Sequence, residues 1–153
     1  YSSPHTISMI ALATTILEMK EYGEAFAKQI ITNSNALGDA LNKRGYHIRK
    51  ANTGRWSENH QVHLIAKDLG DYKELWHRLY RNNINVNFDS PDVFEQGLFI
   101  RLGTQEITRR GMKEFEMEQI ADFLERGLNG GKFADEVTTF VDEYQKASYS
   151  FDK

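Results

Sequence analysis

Arg101 is the residue whose type and setting most invite chemistry. It stands in Leu98-Phe99-Ile100-Arg101-Leu102, a run that reads as a strand and is closed by Gly103. Strand alternation sends Ile100 and Leu102 to one face, and Phe99, Arg101 and Gly103 to the other. A guanidinium stays charged at every accessible pH, so a half-buried one needs an anion. A carboxylate suits it best, because the planar fork offers two parallel charge-assisted hydrogen bonds. Gly103, lacking a Cβ, admits a ligand or a backbone close to that fork. Two readings stay open on pattern alone: an internal ion pair with an Asp or Glu of the same domain, or the grip on a ligand's carboxylate.

The other candidates are weaker. His60 and His63 are three apart, which on a strand puts them on opposite faces and makes a metal pair improbable. His47 and His77 read as solvated or packing residues. His5 follows Ser2-Ser3-Pro4, ahead of a helical pattern, where free N–H groups could hold a phosphate, although Ser-Ser-Pro is also ordinary capping. Arg109 and Arg110 fall at an expected helix start, the wrong end for cations, and should point to solvent or to an acidic partner. Trp76, Phe115, Phe123, Phe140 and Tyr144 sit at helical spacing and read as core. No Ser/His/Asp order, Gly-rich phosphate loop or metal signature stands out.

The elements that must position these residues follow from periodicity. Apolar residues at Ile7, Ile10, Ala11, Thr14 and Leu17, then Phe26, Ile30, Asn33, Leu37 and Leu41, predict one long helix or two collinear ones over residues 5–43. Thirty-eight such residues would run ~57 Å, more than a small domain's width, so the helix should bridge domains or lie along a partner. Gly45 reads as its C-cap. Short strands are expected at Tyr46–Arg49, His60–Ala66, Ile84–Phe88 and Leu98–Leu102. Helices are expected at Tyr72–Asn82, with Tyr72, Leu75, Trp76, Leu79 and Tyr80 on its apolar face, from Thr108 as N-cap to Leu128, and over Phe133–Tyr144. Ser148–Lys153 should fray. This order predicts an α+β two-layer fold. The division expected is a helical segment over 1–44, a small α/β domain over 45–130, and a C-terminal helix and tail over 131–153.

Composition bounds the function. The chain has 153 residues, 40% hydrophobic and 27% charged, with a formal net charge of −3. That is ordinary for a globular protein, and the charge argues against a nucleic-acid or anionic-membrane binder. Cysteine is absent, which removes disulfides, thiolate nucleophiles and Cys-ligated metals and fits a cytoplasmic protein. No apolar run is long enough for a membrane span, and no signal peptide is evident. The chain opens on Tyr1 rather than Met, which reads as the middle of a longer or processed polypeptide.

At residues 84–128 a family pattern emerges. Ile84-Asn85-Val86-Asn87, the run Arg101-Leu102-Gly103-Thr104 with Thr108-Arg109-Arg110-Gly111-Met112-Lys113-Glu114, and Ile120-Ala121-Asp122-Phe123 together resemble the C-terminal part of serine hydroxymethyltransferase. Weaker similarity covers Ala36-Leu37 to Tyr46 and Glu58-Asn59-His60, and Ser2-Ser3-Pro4-His5-Thr6-Ile7 is similar to that family's Gly-Gly-Pro…His-Thr-Ile segment. The resemblance implies the interdomain helix and small C-terminal domain of a pyridoxal-phosphate (PLP) enzyme of the aspartate-aminotransferase fold type. It implies that Arg101 binds the α-carboxylate of an amino-acid substrate, and that Ser2 and Ser3 approach the cofactor phosphate. The Schiff-base lysine belongs to the family's large domain; none of the ten lysines here has a matching context. The partner implied is therefore a large PLP-binding domain, on another chain or a preceding segment, in a homodimeric or heteromeric assembly. The stretch from Asn87 to Arg101 lacks the family's Val-Pro loop that borders the folate site, so folate use is not implied, and threonine transaldolases become attractive relatives. Expected alternatives are a folate-dependent hydroxymethyltransferase, an aminotransferase, or a non-catalytic interaction module.

Overall fold

The computed structural model describes residues 5–89 and 98–151. Helix α1 runs unbroken over Thr6–Lys43. Gly45 follows at φ +88°, and its N–H closes back on the Asn42 carbonyl, as a helix-terminating glycine does. Strand β1 (Gln61–Ile65), helix α2 (Tyr72–Tyr80) and strands β2 (Asn87–Asp89) and β3 (Phe99–Gly103) come next. Helices α3 (Gln105–Arg109), α4 (Glu114–Leu128) and α5 (Ala134–Asp142) complete the order. The three strands form one antiparallel sheet in the order β1-β3-β2. The architecture is α+β, as the periodicity indicates.

The core lies between one face of the sheet and the helices. Val62, Leu64, Ile100 and Leu102 point inward and meet Leu37 and Leu41 of α1, Leu75 and Leu79 of α2, and Met117, Ala121, Leu124 and Leu128 of α4. Helix α2 begins where Asp71 Oδ1 accepts from the N–H groups of Lys73 and Glu74, at 3.0 and 3.1 Å. At the start of α4, Glu116 reaches back to accept from the Lys113 N–H at 2.7 Å.

Helix α1 divides into two regimes. Its second half is embedded through Asn33, Ser34, Leu37, Gly38, Ala40 and Leu41. In its first half Glu18 alone is buried, while Ile7, Met9, Ile10, Leu12, Ile16 and Leu17 stand more than half exposed. At 100° per residue, Ile7, Ile10 and Leu17 form one stripe, and Met9, Leu12 and Ile16 a second on roughly the opposite side.

Several expectations are corrected. Residues 46–49 make only an isolated bridge, Ile48 to Leu64, beside β1. Strand β2 begins at Asn87 rather than Ile84. The helix expected from Thr108 is two: Thr108 lies inside α3, buried, and Gly111 at φ +89° turns the chain into α4. Arg109 and Arg110 therefore sit at the end of α3, the favourable end for cations. Tyr72 and Tyr80 are exposed, and so is Phe115, at 74%. Residues 148–151 do not fray. Ser148 N–H donates to the Arg109 carbonyl, Arg109 donates to the Tyr149 carbonyl and to Glu18, and Ser150 Oγ and Phe151 N–H both donate to Glu18 Oε1. Tyr149 and Phe151 add ring contacts to Phe26 and Tyr22 of α1.

Candidate functional site: the outer face of the sheet at Arg101

The inner face of β3 is spent on the core, so its outer face carries Phe99, Arg101 and Gly103. Antiparallel register places His63 of β1 and Asn87 of β2 directly opposite Arg101, and Ile65 and Asp89 opposite Phe99. His63, Arg101 and Asn87 thus make a row across the sheet, with Asp89 diagonal to the arginine.

Arg101 borders an open cleft of about 340 Å³ together with His60, Gln61, Asn85, Asn87, Gly103 and Gln105. The cleft is rich in amide, imidazole and guanidinium donors, the groups that recognise a carboxylate. A neighbouring cavity of about 210 Å³ shares Arg101, Asn85 and Gly103 with this cleft, but the rest of its lining is mostly apolar, with Leu37, Ile107, Phe123 and Phe140.

The arginine's partner among the described residues is Asp89, with Nη1 3.2 Å from Oδ2. Both side chains are more than a third exposed, at 38% and 37%. This pair differs from Arg126 and Glu136, where two parallel hydrogen bonds of 2.9 and 2.8 Å close a full fork. A wet pair without that fork contributes ~0–1 kcal/mol, whereas hydrogen bonds to charged groups are worth roughly 1.5–3 kcal/mol each. Arg101 therefore has an anion beside it and retains capacity to take a better one.

His63 is half-buried, its ring 4.8 Å from that of Phe99 and its Nε2 3.1 Å from Gln61 Oε1. Burial lowers its pKa below the usual imidazole value, and the Arg49 and Arg101 charges lower it further, with Asp89 acting in the opposite sense.

The end of β3 is pinned from behind. Thr104, fully buried, shares a 2.7 Å hydrogen bond with Ser34 of α1, and its N–H donates to the His60 carbonyl. Asn33 donates to Thr108 Oγ1 and to the Met112 carbonyl, at 2.8 and 2.9 Å. A Cβ at Gly103 would stand 2.8 Å from Gln105 Oε1, so the missing side chain makes room for that amide at the cleft's rim.

Of the sequence candidates, Arg101 reaches the cleft, and His60 lines it from the residue before β1. Ser2 and Ser3 lie outside the described residues. His5 is the exposed residue preceding α1, and its side chain makes no cap hydrogen bond. Sequence spacing considers His63 only as an improbable metal partner of His60, and it does not place His63, Asn87 or Asp89 beside Arg101. Their signal was register: alternation gives each strand's faces, but only pairing shows which residues of different strands become neighbours.

The serine hydroxymethyltransferase family model matches residues 2–124. Serine hydroxymethyltransferases from Methanosphaera stadtmanae and Methanocaldococcus jannaschii are 36% and 37% identical to the chain over 99% of its length, which spans 37% and 38% of theirs. The L-threonine transaldolase of Pseudomonas fluorescens superposes with a TM-score of 0.78 at 29% identity, covering 91% of this chain and 33% of that one. In fold and in sequence, the chain belongs to the serine hydroxymethyltransferase family.

Proposed function

We propose that the chain is the interdomain helix and small C-terminal domain of a PLP-dependent enzyme that makes or breaks the Cα–Cβ bond of glycine and β-hydroxy amino acids, of the hydroxymethyltransferase or transaldolase type. The observation that carries the reading is Arg101: an incompletely engaged guanidinium on the open face of the sheet, at a polar cleft, in a chain of this family. The cleft's donor set fits the carboxylate end of an amino acid held on the cofactor. PLP, when bound, supplies the electron sink for the pair left on Cα. Arg101 takes the substrate carboxylate through two N–H groups and thereby fixes how the scissile bond is oriented. Gln61, Asn87 and Gln105 border the same cleft and restrict the poses open to that carboxylate. Ser2 and Ser3 belong to the proposal as contacts to the cofactor phosphate.

The Schiff-base lysine and the rest of the cofactor site are assigned to a large domain, on a preceding segment or a separate chain, in a dimeric, cytoplasmic enzyme. Support comes from the chain's share of its relatives' length and from the uncovered apolar first half of α1. A partner on each side of that helix accounts for two opposed stripes better than one partner does. Folate-dependent transfer is the alternative within the class. Residues 90–97, where the family's folate loop would fall, lie outside the described residues.

The test is made on the assembled enzyme. Arg101→Ala and Arg101→Lys should raise KM for L-threonine or L-serine at least tenfold and lower kcat/KM by about a hundredfold or more, as expected when a reacting bond is misplaced. Aldehyde release measures both constants. Unchanged kinetics in either variant removes Arg101 from the site. If the chain purifies from its source without a lysine-bearing large domain, a non-catalytic role replaces this reading.

A further inference from the structure

We propose that Asp89 is an internal stand-in for the substrate's carboxylate, which rests beside Arg101 in the empty site and is displaced when the amino acid binds; this rests on the reading of Arg101 given above. Asp89 and Arg101 lie on the same face of the sheet, two positions apart along the β2–β3 register with the Phe88–Ile100 pair between. Their closest atoms are 3.2 Å apart, yet the pair forms no two-bond fork of the kind that Arg126 makes. An aspartate that served to lock the arginine would be buried and bidentate. This one is 37% exposed, so once displaced it turns into water with little desolvation to oppose it. The same chemical group occupies the place that a ligand carboxylate would take, and two carboxylates close together at one guanidinium repel each other. Asp89 therefore competes with every substrate and sets a floor on KM. It also keeps the arginine's charge partly neutralised in the empty cleft, which disfavours the capture of stray anions.

Removing the competitor should tighten substrate binding. In the assembled enzyme, Asp89→Asn is expected to lower KM for L-threonine three- to tenfold while kcat stays within about twofold. Isothermal titration with glycine, which reports binding without turnover, should show a Kd lowered by the same factor. Inhibition by chloride or acetate should strengthen in parallel. Asp89→Ser provides a second variant should Asp89→Asn fail to fold, and it carries the same expectation. A KM or glycine Kd that rises, or stays unchanged, in the folded variants overturns the proposal, because Asp89 would then orient Arg101 or be indifferent to it. The two readings fail differently. Unchanged kinetics in Arg101→Ala sinks both, whereas a collapse in Arg101→Ala without tighter binding in Asp89→Asn sinks the stand-in alone.

Discussion

His63 lies across the sheet from Arg101, half-buried against Phe99, and burial together with two neighbouring guanidinium groups depresses its pKa. The unfolded chain's imidazole takes up a proton near its ordinary 6.5, while the folded one resists until the pH is lower. More protons are then bound unfolded than folded, so stability rises with pH in that interval. The contribution is complete above 6.5 and fades as the pH falls through the depressed folded value. His63→Gln should flatten the fall in urea midpoint between about pH 7 and pH 5 relative to the unsubstituted protein. An unaltered slope would assign the acid sensitivity elsewhere. Gly38 offers a steric counterpart. A Cβ there would meet Trp56 Cβ and Cγ at 2.6 Å, so Gly38→Ala must push the indole off α1 and should cost about 1–3 kcal/mol in denaturant unfolding.

At the scale of elements, α1 is fastened to the sheet domain by buried polar contacts as well as by leucines. Asn33→Ala would leave the Thr108 hydroxyl without its donor and the Met112 carbonyl bare, at a cost of about 2–4 kcal/mol. Asn33→Asp, which keeps the volume but loses the amide donors, should cost at least as much; both are read by urea unfolding. These contacts also mark what was legible in the sequence. The long helix and the strands β1 and β3 are legible because their apolar residues recur at helical or alternating spacing, although that spacing does not tell that the first half of α1 is left uncovered. The placement of Arg101 on the outer face of β3 was legible for the same reason. A threonine before an apolar series fits a cap, but Thr108 sits inside α3, where its hydroxyl accepts from Asn33, 75 residues away on α1, and donates to the Thr104 carbonyl. Spacing puts Phe115, Tyr72 and Tyr80 on core faces, yet all three are exposed, with Tyr72 beside Phe88 and Tyr80 stacked on its helix neighbour Trp76. The docked tail is invisible to periodicity, since Ser148 to Phe151 hold their place through backbone groups, Glu18, Arg109 and ring contacts to Tyr22 and Phe26.

For the whole molecule, the two halves of α1 predict opposite behaviour. Ile10→Ser together with Leu17→Ser should leave the unfolding free energy of the 153-residue chain within about 0.5 kcal/mol, because neither residue belongs to its core. The same pair should weaken concentration-dependent self-association by light scattering, with the Met9, Leu12 and Ile16 stripe still exposed to drive the remainder. Glu18 joins the halves. Hydrogen bonds from Ser150 and Arg109 hold its carboxyl below the usual value of 4.5, so this contact supports folding above 4.5 and is lost as the pH falls through the lowered folded value. Hydrogen exchange at residues 148–151 should accelerate over that acid range in the parent and already be fast at neutral pH in Glu18→Ala. The closing of Glu18 by Ser150 spans 132 positions. At ordinary elongation rates the ribosome takes on the order of ten seconds to travel from Glu18 to Ser150, so this clasp on α1 closes only after the strands and helices between them have been made.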